Sequence, residues 1–316
     1  MEKGNQSLVT EFILLGFSAS PQIKIVLFVV FLAIYLVTLI ANSLIITVVR
    51  SDSRLHSPMY FFICNLSFID LCYSSTNCPT CLDGLFSETS TITFSGCVTQ
   101  MYMGFSLGST QCILLALMSW DRYVAICNPL NYPRILRRSV CMRLTIATWT
   151  AGFLLPIVHV SIIMTVPFCG QNRINHVVCE LAAVLHLACI DTHLIQAVIF
   201  LFSVITLVAP LSLIIFTYLH IISTILRMPT STGRHKAFST CGSHLTVVTL
   251  FYGTAIAMYM SPRSLISREN EKVVSLIYGL MTPMLNPLIY TLRNKEVKGS
   301  MKKMFSRYIT WHMLKS

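Results

Sequence analysis

Residues 118–130 read MSWDRYVAICNPL and stand where a long uncharged run gives way to basic sequence. From residue 97 to residue 120 there is no Lys, Arg, Asp or Glu. A helix of about 20 such residues crosses the hydrocarbon of a bilayer before it meets a charge. Here the first charges are Asp121 and Arg122, followed by Tyr123. Neighbouring helical positions point about 100° apart, so the two need not close an ion bond and Arg122 stays open to another partner. An Arg at a helix end also serves simply to snorkel to the headgroups. The remainder of the chain decides between anchor and switch.

Outward from that stretch the chain is apolar, with 54% hydrophobic residues, 11% charged residues and a mean hydropathy of +0.70. These values exclude a soluble domain built on one large core. Seven apolar runs lie near 25–49, 58–80, 98–126, 144–166, 194–226, 237–260 and 273–292. Each is long enough to span a membrane, and the third and fifth are long enough to tilt or extend beyond it. The expected fold is therefore an all-α integral membrane protein, a seven-transmembrane helix bundle. Its expected parts are an outer segment, 1–24, a seven-span body, 25–292, and a tail, 293–316, carrying a short amphipathic C-terminal helix.

Basic residues set the expected orientation. With the amino terminus outside, seventeen Lys and Arg fall in inner segments, among them Arg50, Arg54, Arg122, Arg134 and the Arg293–Lys315 set, and six fall outside. That asymmetry predicts a multi-pass cell-membrane protein with an extracellular amino terminus and a cytoplasmic carboxyl terminus. The formal charge of +11 then needs no nucleic acid, and membrane lipid with a cytosolic partner is the expected taker. The first residues lack the plan of a cleavable signal, so the first span is expected to direct insertion. Asn5 heads an Asn-Gln-Ser glycan acceptor on the expected outer side.

Polar groups inside the runs are costly in lipid and therefore informative. Asp70 is the one carboxylate deep in a run, expected either as a functional site or as a structural hydrogen-bond hub with Asn42 and Asn286, and Gln111 is a further amide expected to point inward near it. Met101, Gly104, Phe105, Gly108 and Ser109 share one face of the third span. The glycines there suit tight helix packing and ligand room equally. Tyr252, Ile256 and Tyr259 form a stripe on the sixth span, and Phe202, Ser203 and Thr206 lie on the fifth. Together these positions outline an outer-half cavity, largely apolar, with Ser109, Ser203, Thr206, Tyr252 and Tyr259 as hydrogen-bonding groups. No carboxylate stands on these stripes, which disfavours a cationic ligand. His244 is read as a satisfied hydrogen-bonding histidine. Cys78 and Cys81 have the spacing of a zinc half-site, but no matching pair lies at their depth, so no metal is expected. Cys97, Cys169, Cys179 and Cys189 stand on the oxidising side, where four cysteines allow three connectivities. Their disulfides, rather than a metal held with nearby histidines, are expected to fold residues 167–193 into a lid.

The strings LHSPMYFF, LSFIDLCYSS, DRYVAICNPL, KAFSTCGSHL and PMLNPLIYTLRNKEV occur in that order. With D-R-Y after the third span and N-P-x-x-Y (Asn286, Pro287, Tyr290) in the seventh, the chain resembles a rhodopsin-like G-protein-coupled receptor. More narrowly, it resembles an odorant (olfactory) receptor of the tetrapod type, class II. The resemblance implies a small volatile ligand, no cofactor, no enzymatic activity, and a heterotrimeric G protein of the stimulatory olfactory type that raises cyclic AMP. It also implies that Arg122 is released on activation while Tyr218 and Tyr290 rearrange. The implied disulfides are Cys97 with Cys179 and Cys169 with Cys189, and Tyr259 with the third-span stripe lines the implied cavity. Two departures matter. Ser119 and Trp120 precede Asp121 where the family usually has Ala-Tyr, and Gln111 stands where Glu is common, which leaves sodium at Asp70 disfavoured. A transporter or channel is the rival class, opposed by the single deep carboxylate and the odd span count. A non-olfactory receptor of the same fold is the nearer rival.

Overall fold

The computed structural model describes residues 9–17, 19–87, 90–168, 172–259, 268–293 and 295–313. Asn5 and Cys169 lie outside the described residues.

Seven long helical spans form the bundle. They are α1 (Pro21–Ser51), α2 (Pro58–Phe86), α3 (Phe94–Cys127), the pair α5 (Arg138–Leu154) and α6 (Ile157–Thr165), α8 (His193–Leu226), α9 (Ser231–Tyr259), and the pair α10 (Arg268–Leu276) and α11 (Thr282–Arg293). Short helices α4 (Tyr132–Ile135) and α7 (Leu181–Leu185) stand in loops, and α12 (Lys295–Met313) follows the last span. Among the described residues, six spans are long and apolar enough to cross a membrane by length and composition. The seventh, α2, has 29 residues but is diluted by buried Asp70, Asn77, Ser67 and Ser74. It packs between α1 and α3, so its polar face never meets lipid.

Sequence explains where these helices start and break. Pro21 and Pro58 sit in first turns, where a missing N–H leaves nothing unsatisfied. For that reason α1 begins before the expected residue 25. Thr93 caps α3, its hydroxyl accepting from the Gly96 N–H at 3.1 Å. Pro156 divides the fourth span into α5 and α6, whereas Pro79, Pro210 and Pro287 stay inside continuous helices. A bundle tolerates such prolines because neighbouring groups take up the freed carbonyls.

The innermost helix is α3, with 67% of its membrane window buried against 11% for α1 and α8. Where α5 crosses it, Gly152 faces Thr110, and a Cβ on Gly152 would overlap both the side chain and the Cα of Thr110. Backbones approach this closely only where a small residue permits it.

The all-α expectation missed a small sheet at one end of the bundle. Strands β1 (Glu11–Leu14), β2 (Ser90–Thr93) and β3 (Arg173–Ile174) lie in the order β2-β1-β3. The register pairs Phe12 with Ile92 antiparallel and Ile13 with Arg173 parallel. Four-residue strands formed by distant segments leave no local period to read. Phe12 is fully buried and meets Phe168 edge-on at 5.8 Å. Gly16 follows at φ 61°, the left-handed region open to glycine, and its carbonyl accepts from the buried Lys272 Nζ at 2.8 Å.

At the opposite end α12 is tied to the first loop. Tyr60 donates to Glu296 at 2.6 Å, and the Ser300 hydroxyl donates to Asp52 at 2.6 Å beside Arg54. Hydrogen bonds from Arg54 and Ser300 hold the Asp52 carboxyl well below the usual carboxylate range.

The α3–α5 contact generates a test. Gly152→Ala should cost roughly 1–3 kcal/mol through overpacking, read as a lowered melting temperature of the purified protein in detergent. An unchanged melting temperature would mean that α5 shifts freely and the close crossing is not a constraint.

Candidate functional site

Two adjoining hollows lie between the helices beneath the sheet end. The first is bounded by α2, α3, the lid segment 177–181 and the last span, and the second by α3, Leu155 to His159 and α8. They measure about 50 and 40 Å³, each above the roughly 10–15 Å³ that one water needs. Gly104, Phe105 and Tyr259 line both, so the three residues stand on the partition between them.

Of the positions expected to line a cavity, Met101 lines the first hollow and Gly108, Ser109, Ser203 and Thr206 line the second. A Cβ on Gly104 would meet nothing within 4 Å, and one on Gly108 would stand 3.0 Å from the Tyr278 hydroxyl. Gly104 therefore leaves room, whereas Gly108 accommodates the Tyr278 hydroxyl of the last span. Three expected positions differ. Ile256 is 37% exposed and turns outward, because the sixth-span stripe is narrower than its spacing suggested. Tyr252 is buried with its hydroxyl donating to the Cys112 carbonyl at 3.1 Å, and Phe202 touches the edge of His159 without lining either hollow. Thr206 does line the second hollow, yet its hydroxyl donates to the Phe202 carbonyl at 2.8 Å.

Several wall residues escaped the sequence reading. A π-helical turn, Ile277–Met281, interrupts the last span and brings Tyr278 to the second hollow and Gly279 and Leu280 to the first. Glu180 lines the first, a carboxylate supplied by the lid, about which the reading of the helical stripes said nothing. Its carboxylate accepts from the Ala183 N–H at 3.1 Å, capping α7. His159, on α6, lines the second hollow with its ring stacked on Phe105 at 5.3 Å. Its position after a helix-breaking proline was the signal available.

The lid is anchored covalently by the Cys97–Cys179 disulfide. Gln100, one turn beyond Cys97, accepts from the Cys179 N–H at 2.9 Å and donates to the Thr76 carbonyl at 3.0 Å and the Thr80 hydroxyl at 3.1 Å. One amide thus joins lid, α2 and α3. Cys189 is also disulfide-bonded.

Deep in the bundle the expected hub separates into two pairs. The Asn286 amide donates to both oxygens of Asp70, at 3.1 and 3.0 Å. Asn42 instead donates to the carbonyls of Thr38 and Pro283, at 3.0 and 3.1 Å, tying α1 to the last span. Gln111 is buried, but its amide nitrogen has no partner. That unpaired donor adds no ligand for a cation, whereas the unpaired oxygens of Asn42 and Asn286 are acceptors.

At the far end the D-R-Y residues form a second polar cluster. Tyr132 donates to Asp121 at 2.9 Å, while Arg122 Nε stands 4.0 Å from Asp121 and makes no hydrogen bond. Nearby, His244 Nε2 lies 3.1 Å from the Leu115 carbonyl and Nδ1 lies 2.7 Å from the Tyr218 hydroxyl. A carbonyl only accepts, so Nε2 carries the proton and Tyr218 donates to Nδ1. The Tyr290 hydroxyl is buried without a partner, Tyr123 meets the His220 ring edge-on at 5.9 Å, and Pro287 stays within α11. Arg122 and Tyr290 thus have unspent hydrogen-bonding capacity.

A family profile described as olfactory receptor matches residues 31–308. The chain is 49% identical to olfactory receptor 2K2 of Homo sapiens over 312 residues, covering 99% of this chain and 98% of that protein. It is 49% identical to olfactory receptor 10A6 of Homo sapiens over 314 residues, with 99% and 100% covered. Against olfactory receptor 2D2 of Homo sapiens the identity is 50% over 307 residues, with 97% and 99% covered.

The unpaired Gln111 amide gives a prediction. Exchanging an organic cation for sodium should raise the melting temperature of a Gln111→Glu variant and leave the native protein nearly unmoved. An equal rise in both would show that the native site accepts sodium.

Proposed function

Taking as premise that the chain belongs to the olfactory receptor family, a G-protein-coupled receptor family that is not enzymatic, we propose how this member works. It binds a small volatile, mostly apolar ligand in the hollows beneath the lid and activates a stimulatory olfactory-type G protein, raising cyclic AMP. The sheet and lid face outward and α12 lies on the inner leaflet. The basic bias of the segments at the Arg122 end supports this orientation. Gly104, Phe105, Gly108, Ser109, Ser203 and Tyr259 are the proposed ligand contacts.

One observation carries the proposal. A single unbroken helix, α3, supplies both the shared wall of the hollows and Arg122. From Gly108 to Arg122 the helical rise spans about 20 Å, so displacement of α3 at one end is delivered at the other as a rigid shift. In the proposed switch, Arg122 is held to Asp121 by a 4.0 Å ion pair with no Nε hydrogen bond, and is the residue released. The Tyr218–His244 bond joins α8 to α9, and Tyr218 and Tyr290 are the residues proposed to rearrange around Arg122 as the helices part. Asp121 and Tyr132 hold the inner loop against α3, and Tyr123 borders α8.

Cells expressing the receptor with an olfactory-type G protein should raise cyclic AMP to members of a broad volatile panel. Arg122→Ala, at matched surface expression, should lose most of that response. A ligand-evoked current that persists without any G protein would instead favour transport.

A further inference from the structure

His159 is a buried polar group in the cavity wall that no described residue fully satisfies. The residue is 6% exposed, and neither ring nitrogen has a hydrogen-bond partner. Its plane lies 13° from that of Phe105, and Phe202 packs T-shaped with ring centroids 5.8 Å apart, so aromatic packing holds the ring. Leaving an imidazole unpaired in the bundle costs stability that any ligand restoring the bond recovers.

The surroundings settle which kind of bond. Among the described residues no charged side chain lines this hollow, so the imidazole is taken as neutral, with one N–H and one bare nitrogen. The Ile199 carbonyl on α8 is the one polar group among the described residues that engages the ring, as a backbone hydrogen-bond acceptor too poorly aligned to satisfy it fully. A carbonyl attracts the N–H edge, which leaves the bare nitrogen for the hollow. Across the space, the Ser109 and Ser203 hydroxyls make no hydrogen bond among the described residues, whereas Thr206 has already spent its proton.

We infer that the second hollow takes a hydroxyl-bearing ligand, an alcohol or phenol, whose O–H donates to His159 while its carbon skeleton lies along Phe105. This rests on the proposed receptor function and adds the chemical class of its ligand. A ketone or ether has no proton to donate, and an ammonium ion meets no carboxylate in this hollow. Ser109 and Ser203 complete the site by donating to the ligand oxygen.

The probes are alcohols, ketones and alkanes of matched length, tested on native receptor, His159→Phe and His159→Asn at equal surface expression. His159→Phe keeps the ring and its stacking, and His159→Asn keeps a polar group at a shorter reach. The expected result is a loss of roughly tenfold or more in alcohol potency for His159→Phe, about 1.4 kcal/mol, with ketone and alkane responses little changed and His159→Asn intermediate. Equal loss for all three probe classes would make the ring a mere wall and overturn the inference, as would no loss at all. Heat stability of the purified receptor separates this inference from the receptor reading. Alcohols should raise the melting temperature of native protein and not of His159→Phe, even were every signalling assay silent. Silence alone would count against the receptor reading, and absence of an alcohol-specific shift would count against the site.

Discussion

Hydrocarbon offers no hydrogen bonds, so every polar group that enters the membrane must be satisfied inside the bundle. That constraint organises α2, the least apolar of the long helices. Its carboxylate meets the Asn286 amide across the interface with the last span, and its Asn65 accepts from the Trp149 indole at 3.1 Å. Asn42 performs the same service from α1 to the Pro283 carbonyl. Helices that lipid would not press together are thereby held in one arrangement.

Polar groups left unsatisfied are correspondingly informative, because each is a cost retained. Arg122 Nε and the Tyr290 hydroxyl stand unpaired near the inner end, and both His159 nitrogens stand unpaired at the cavity. In the proposed function the first two are capacity for another arrangement of the same chain, and in the proposed ligand site the last is capacity for another molecule. Between them α3 acts as the common strut, with the Gly152 crossing and the Tyr252 bond to Cys112 fixing its position against α5 and α9.

The lid shows how distant segments close one end. The Cys97–Cys179 bond sets its distance from α3, Gln100 fixes its height over α2, and β1 stitches the amino-terminal segment to β2 and β3. Lys272 reaches the Gly16 carbonyl beyond the same sheet. Glu180 enters the cavity wall only because the lid folds back over it.

Seven spans, the break at Pro156 and the position of D-R-Y were legible in the sequence, because bilayer thickness and the missing proline N–H act locally along the chain. The family strings were legible too, being local. The third-span face was readable because one helix has one period, so Gly104, Phe105 and Gly108 had to share a side. What the tertiary structure decided were relations between segments. Ile256 faces outward, Asn42 bonds to backbone carbonyls and not to Asp70, Glu180 and His159 reach the cavity, and three short strands find each other. Helix rotation and side-chain reach settle such contacts, and both depend on packing between residues far apart in the chain, which no local period encodes.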